Sequence, residues 1–408
     1  MTDPRKISIQ DFTYHLPEEK IALHPLPERD ASKLLIYKSG IIKEDVYSNI
    51  ATHIPENSLL VFNNSKVINA RIRFKKNSGG TIEIFCLEPY DLLNEYSSVM
   101  NKTANVKWKC FVGGAAKWKE GELSKELIIN NKELIIKAIL IEKLADAYVV
   151  EFSWSPASYS FAEVIESAGD IPLPPYIKRE TDITDASRYQ TIYAKLDGSV
   201  AAPTAGLHFT ENVFKKLSAK HIDNAYLTLH VGAGTFKPVK AHSMQEHEMH
   251  AEWIDVNIET IKKILAKKDE VIAVGTTSLR TIETLYWLGV KASLDPGVKK
   301  AELHQWDVYE DPLVNSNISV QDSLEALINW MRKRNMDRIF TQTQLLIAPG
   351  YQFRIVNALV TNFHQPQSTL LLLVAAAVSD DWKMIYNHAL GNDFRFLSYG
   401  DGNLIFIS

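Results

Sequence analysis

Val271-Ile-Ala-Val-Gly-Thr-Thr-Ser-Leu-Arg-Thr-Ile-Glu-Thr284 reads as a short buried strand, a glycine turn at Gly275, and a helix whose first turn is rich in hydroxyls. Similar units lie on both sides. Apolar runs at 225–231 and 353–360 read as strands, and 161–167, 212–220 and the stretch from Ser368 read as helices. Strand, turn and helix in alternation predict an α/β protein with a mixed sheet. Short apolar runs at 33–37, 58–63 and 344–347, bounded by polar or turn residues, add further predicted strands. The opening stretch 11–22 reads as an extended start and a short helix, with Pro17 in its first turn.

Between Ala70 and Trp154 the pattern changes. Thr81-Ile-Glu-Ile-Phe-Cys-Leu87, the runs at 106–112 and 127–129, and Ala147-Tyr-Val-Val-Glu-Phe152 combine alternation with β-branched residues and are separated by polar turns. Several short strands in one block predict a small antiparallel β-barrel inserted into the α/β host. The expected division is therefore a discontinuous host of 1–69 and 155–408 around an inserted barrel of 70–154. Residues 288–340, with Asp295-Pro-Gly297 and a helix over 323–332, read as an excursion from the host.

A chain of 408 residues is longer than one core usually supports, which agrees with two domains. The net charge of -4 gives no global signal for a polyanion. Phosphate contacts would fall on local basic stretches, 71–76 or Arg332-Lys-Arg334, unless these are solvated faces. The apolar run 370–378 is about half of the roughly 20 residues that a membrane-spanning helix needs, so it reads as a buried helix. The start of the chain lacks a basic cluster followed by an apolar stretch, and the two cysteines, Cys86 and Cys110, are too few for a disulfide framework. A cytoplasmic protein is expected.

Four segments place small residues, hydroxyls and histidines where a strand gives way to a turn. In Gly198-Ser-Val-Ala-Ala-Pro-Thr-Ala-Gly-Leu-His-Phe-Thr210 the small residues admit a ligand to the backbone, and Ser199, Thr204 and His208 supply polar groups. A packed loop with a satisfied histidine is the competing reading. In His230-Val-Gly-Ala-Gly-Thr-Phe236 the residues Gly232, Ala233, Gly234 and Thr235 offer a glycine-lined wall. A dinucleotide fingerprint fails there, because its third glycine falls on Lys237. In the opening stretch quoted above, Thr276, Thr277 and Arg280 suit a carboxylate or phosphate at a helix start, although capping by Thr277 or Ser278 explains the same residues. In Thr361-Asn-Phe-His-Gln-Pro-Gln-Ser-Thr-Leu370, His364 is a candidate acid or base and Ser368 a candidate helix cap.

His247-Glu-Met-His250 has two histidines three apart but lacks a third ligand and the His-Glu-x-x-His pattern, so no metal is expected. No phosphate-binding Gly-x-x-x-x-Gly-Lys-Ser/Thr loop occurs in the sequence.

These segments stand in order with Arg29-Asp-Ala-Ser-Lys-Leu-Leu35, Phe62-Asn-Asn-Ser-Lys-Val-Ile68, Ile171-Pro-Leu-Pro-Pro-Tyr-Ile177, Arg188-Tyr-Gln-Thr-Ile-Tyr-Ala-Lys195 and Phe396-Leu-Ser-Tyr-Gly-Asp401. Together they resemble the S-adenosylmethionine:tRNA ribosyltransferase-isomerase family, nearly end to end, more weakly over 70–154 and 288–340. The resemblance implies an α/β domain with an inserted β-barrel. It also implies transfer and isomerisation of the ribosyl part of S-adenosylmethionine onto 7-aminomethyl-7-deazaguanine in tRNA, giving epoxyqueuosine, adenine and methionine. On that reading His208 or His364 moves protons, while Ser199, Thr204, Gly232, Ala233, Gly234, Thr235, Thr276 and Thr277 line the co-substrate site. Arg280 then holds the methionine carboxylate or an RNA phosphate.

The chain departs from the family pattern at Gln344, where an aspartate is usual, and at Gln365-Pro-Gln367, where Leu-Pro-Lys is usual. It also carries Asn63-Asn-Ser-Lys-Val-Ile-Asn69 in place of Asn-Asp-Thr-Lys-Val-Ile-Pro. A paralogue using another acceptor and a noncatalytic RNA-binding module are the alternatives, and a monomer is expected.

Overall fold

The computed structural model describes residues 3–76, 79–91, 96–118, 121–129, 131–232, 241 and 243–407. In chain order its first strands are β1 (Lys33–Lys38), β2 (Ile41–Val46), β3 (Leu59–Asn63) and β4 (Ser65–Val67). A second block comprises β5 (Arg71–Lys75), β6 (Thr81–Pro89), β7 (Asn105–Gly113), β8 (Leu123–Ile129), β9 (Lys132–Lys143), β10 (Tyr148–Ser155) and β11 (Gly169–Asp170). The remainder are β12 (Leu196–Ser199), β13 (Asp223–His230), β14 (Glu252–Asn257), β15 (Val271–Val274), β16 (Arg338–Thr343), β17 (Val356–Asn362) and β18 (Gly402–Phe406).

Nine strands form one mixed sheet in the order β16-β14-β13-β3-β15-β17-β18-β1-β2. Its four central strands, β13, β3, β15 and β17, are mutually parallel. All residues of β3 and β15 are buried, as expected of parallel strands covered on both faces. The two-residue period of the strands sorts their side chains between the covers. Leu59, Val61 and Ala273 pack with Leu279, Ile282 and Leu285 of the Thr276–Leu294 helix. Leu60, Phe62 and Ile272 face Val213 and Leu217 of the Glu211–Ala219 helix on the other side.

The second sheet has seven strands in the order β11-β5-β6-β7-β10-β9-β8, with every neighbouring pair antiparallel. It curls around Ile72, Phe74, Ile84, Trp108, Ile136 and Phe152, and the Phe161–Ala168 helix fills its core with Phe161, Val164 and Ile165. A capping box between Ser160 and Glu163 fixes where that helix begins. No ladder joins β11 to β8 among the described residues, so the element is a half-barrel where the strand pattern predicts a barrel. The small β11 also carries this sheet past residue 154.

Two predicted strands are displaced, each for a tertiary reason. The strand expected at 344–347 is Arg338–Thr343. Beyond Thr343 the backbone leaves the ladder, because Gln344 N–H donates to Leu303 O, Leu345 N–H donates to Thr343 Oγ1, and Leu345 O accepts from Arg280 Nε. The strand expected at 353–360 is Val356–Asn362. Its start is set by the buried carboxylate of Glu283, which accepts from the N–H groups of Arg354, Ile355 and Val356 and from Tyr351 Oη at 2.7–3.0 Å. Pro17 caps a short turn of 3-10 helix over Glu18–Lys20 rather than entering its first turn.

The helix begun at Thr276 continues to Leu294, and Val320–Arg332 packs against it, contributing Leu324, Leu327 and Met331 to the same core. Ser319 caps the second helix by accepting from Asp322 N, which starts it earlier than the apolar pattern suggests. Closest approach is at Gly289, where an added Cβ would stand 2.2 Å from Ser323 O. No helix among the described residues is long and apolar enough to cross a membrane. Gly289→Val is expected to push these helices apart and lower unfolding stability by about 1–3 kcal/mol, read from urea denaturation; wild-type stability would contradict the contact.

Candidate ligand site at the carboxyl ends of the parallel strands

Because β13, β3, β15 and β17 run the same way, their last residues, His230, Asn63, Val274 and Asn362, arrive at one edge of the sheet. Ligand crevices of open α/β sheets lie outside that edge. A cavity opens there, bounded by Ala201, Ala202 and Thr204 from the first segment, Gly275–Thr277 and Arg280 from the third, and Asn362 and His364 from the fourth. Tyr176 and Tyr189 close it on the remaining side.

One end of the cavity suits an anion. The helix cap is Gly275 at φ 90°, a conformation glycine adopts freely, and no side chain among the described residues caps the helix. The hydroxyls proposed for capping are engaged elsewhere: Ser278 Oγ donates to Val274 O, and Thr277 Oγ1 accepts from Asn63 Nδ2 at 3.3 Å. The first-turn N–H groups are thus left for a ligand. Arg280 follows one turn later, with its side chain only 7% exposed. Its Nη1 pairs with Glu252 and its Nε donates to Leu345 O at 3.1 Å, but the buried Nη2 has no hydrogen-bond partner among the described residues. Guanidinium donors are costly to bury unmet, and a carboxylate would satisfy this one.

The two predicted histidines occupy different positions. His364 lines the cavity with Nε2 2.8 Å from Thr361 Oγ1, and its backbone N–H donates to Tyr386 Oη at 3.0 Å. Burial depresses its pKa to about 4, so the imidazole is neutral at pH 7. His208 stands behind the wall, stacked on Tyr47 at 4.2 Å. Its Nδ1 is 3.4 Å from Arg29 O and its Nε2 is 3.4 Å from Asn362 Nδ2. A carbonyl only accepts and an amide nitrogen only donates, which puts the proton on Nδ1. Asn362 Oδ1 in turn accepts from Thr204 Oγ1 at 2.7 Å, so His208 reaches the cavity through Asn362 and Thr204. Burial, and more weakly the Arg395 and Arg29 charges, hold its pKa near about 3.

Ser199 lies within the wall: fully buried, it accepts from Val231 N at 2.9 Å and ties two strand ends together. Gly232 borders a second cavity, and its N–H stands 3.4 Å from Glu252 Oε1. Ala233, Gly234 and Thr235 lie outside the described residues. Asn362, Tyr176, Tyr189, Glu252 and His230 were not singled out by the sequence reading. Asn362 and His230 sit inside flagged segments and were legible from their strand-end positions, whereas nothing in the sequence marks Glu252 as the partner of Arg280. Of the departures from the family pattern, Gln365 borders the first cavity and Gln344 the second. In the basic stretches, Arg73 pairs with Glu83 and Asp170, and Arg334 lies over Trp330. No group of three or more potential metal ligands gathers among the described residues.

Fold and cavity define an α/β protein with a candidate ligand crevice at the carboxyl edge of its sheet. Its relatives narrow the class. The profile of a family described as queuosine biosynthesis protein matches residues 9–405. The S-adenosylmethionine:tRNA ribosyltransferase-isomerase of Pelobacter propionicus is 34% identical over 404 residues, covering 97% of this chain and 99% of that protein. The crystal structure of an S-adenosylmethionine tRNA ribosyltransferase from Thermotoga maritima is 27% identical, covers 97% of this chain and 100% of that one, and superposes with a TM-score of 0.45. The chain belongs to the queuosine biosynthesis protein family.

His208, His230 and His364 all have pKa values depressed by burial, to about 3, 3 and 4, against 6.5 for free histidine. Between those limits the unfolded chain binds more protons than the folded one, so stability falls as pH drops below about 6.5. Urea midpoints should therefore be lower at pH 5 than at pH 7, with a smaller difference in His364→Asn; equal pH dependence in the two proteins would contradict the burial argument.

Proposed function

We propose that this chain transfers and isomerises the ribosyl moiety of S-adenosylmethionine onto 7-aminomethyl-7-deazaguanine in tRNA, yielding epoxyqueuosine-tRNA, adenine and methionine. The observation that carries this reading is the unmet Arg280 Nη2 beside an uncapped helix start, in a cavity that also contains a neutral His364. Family membership and the name of the Pelobacter propionicus relative support it.

S-adenosylmethionine fits the cavity by chemistry. Its carboxylate suits Arg280 Nη2 and the free N–H groups of Thr276 and Thr277. The methyl groups of Ala201 and Ala202 and the bare backbone of Gly275 leave room for the nucleoside, and Tyr176 and Tyr189 offer flat apolar faces. The bound sulfonium acidifies the adjoining 5′ carbon. His364, unprotonated at neutral pH and at the cavity wall, is the group placed to take that proton. With both ring nitrogens already engaged, His208 is a positioning residue that orients Asn362 and, through it, the Thr204 hydroxyl. The tRNA supplies the acceptor, and the reading includes a cytoplasmic protein with no bound metal.

The purified protein should release adenine from S-adenosylmethionine only when tRNA bearing the aminomethyl-deazaguanine is present. Release with a different acceptor, or binding without release, would overturn the assignment. His364→Ala is expected to lower kcat by about 10²- to 10⁴-fold. His208→Asn should lower kcat by roughly tenfold or more while changing the S-adenosylmethionine KM by less than about threefold; the reverse pattern would make His208 a binding group.

A further inference from the structure

The polar groups of the first cavity stand along a row of strand ends, and the sheet order arranges them. Arg280 is tied to Glu252 at the start of β14, which runs antiparallel beside the end of β13. His364 follows the end of β17. Ser398 leads into β18, whose first residue, Gly402, pairs with Asn362 at the end of β17. In the order β14-β13-β3-β15-β17-β18 the guanidinium is therefore held toward one side, with His364 and then Ser398 toward the other. S-adenosylmethionine has its own groups in a matching order: carboxylate, sulfonium with the 5′ carbon, adenine. With the carboxylate at Arg280 and the 5′ carbon at His364, the adenine falls at Ser398.

Three hydroxyls meet at that end of the cavity, those of Tyr176, Tyr189 and Ser398. Tyr176 Oη and Ser398 Oγ satisfy one another at 2.6 Å. Tyr189 is fully buried, and its Oη has no hydrogen-bond partner among the described residues. Ser398, the Ala202 N–H and Tyr176, which act on that oxygen, all border the cavity, so the hydroxyl stands at the cavity and not in the core behind it. Burial raises the phenol pKa well above its ordinary range, which keeps the proton in place for donation. The ring is also held firmly. Tyr189 N–H donates to Asp185 O at 2.8 Å, Tyr399 Oη donates to Asp185 Oδ1 at 2.9 Å, and the Tyr189 and Tyr399 rings meet edge to face at 5.7 Å. A buried donor left unmet is costly, and a ligand acceptor would relieve it.

We propose that the Tyr176, Tyr189 and Ser398 end of the cavity is the adenine subsite, and that Tyr189 Oη is the specificity-determining donor to a ring nitrogen of the purine. The assignment rests on the transferase reading above and deepens it by placing the base that the reaction releases. Chemistry selects the contact: N1, N3 and N7 of adenine only accept, and Tyr189 is the hydroxyl of the three with its proton uncommitted. The Tyr176–Ser398 pair closes the wall beside it without competing for that proton.

The test is calorimetric titration of wild type and Tyr189→Phe with S-adenosylmethionine and with its 1-deaza, 3-deaza and 7-deaza analogues, each of which replaces one acceptor nitrogen by C–H. At least one analogue should bind wild type about 5- to 50-fold more weakly than S-adenosylmethionine. Tyr189→Phe should bind S-adenosylmethionine more weakly by a similar factor and no longer distinguish it from that analogue. Its stability in urea should equal or exceed that of wild type, because the change removes an unmet buried hydroxyl. Unchanged affinity of Tyr189→Phe for S-adenosylmethionine, an equal loss for all four ligands, or a clear loss of stability would each overturn the subsite. Adenine release by wild type with the acceptor tRNA, measured separately, tells the two failures apart: release without this coupling sinks the subsite alone, and coupling without release sinks the transferase reading alone.

Discussion

A buried guanidinium must be paired, and the pairing of Arg280 organises the centre of this protein. Its charge rules out an apolar neighbourhood, so the chain brings Glu252 from β14 and the Leu345 carbonyl from the segment after β16 to meet it. Those contacts satisfy Nε and Nη1 and leave Nη2 unmet on a residue that borders the cavity. One residue therefore sets the end of β16 and joins the linings of two cavities, Arg280 bordering the first and Glu252 the second.

The common direction of the four central strands does the rest. Parallel strands need crossover connections, and three of the flagged segments follow β13, β15 and β17 at their carboxyl ends. Buried polar groups hold these ends in register: Asn63 donates to Leu229 O and accepts from Leu229 N and Ser65 N, while Glu283 anchors the start of β17. Each such group is satisfied by backbone, which makes the edge a rigid support for the cavity.

What the sequence disclosed was what local chemistry decides. Val271–Val274 with Gly275 announced a strand and a turn, Ser368 announced the cap of the Thr369–Val378 helix, and both stand as read. The curled sheet was legible as a block of strands but its open edge was not, because closure depends on how β8 and β11 meet. The strand misplaced at 344–347 shows the same limit: its apolar residues are buried, yet a side chain 65 residues away takes the Leu345 carbonyl. His208 looked like a residue of the pocket, but contacts with Arg29 and Asn362, far apart in sequence, turn it into the support behind the wall. Glu252 carried no local signal at all.

The account depends on a carboxylate binding at Arg280. Calorimetric titration of the wild-type protein with S-adenosylmethionine and with its decarboxylated analogue, which keeps the sulfonium and the nucleoside, isolates that contact. A preference of about 10- to 100-fold for S-adenosylmethionine, abolished in Arg280→Gln, is the predicted result. Equal affinity of wild type for the two ligands would contradict it.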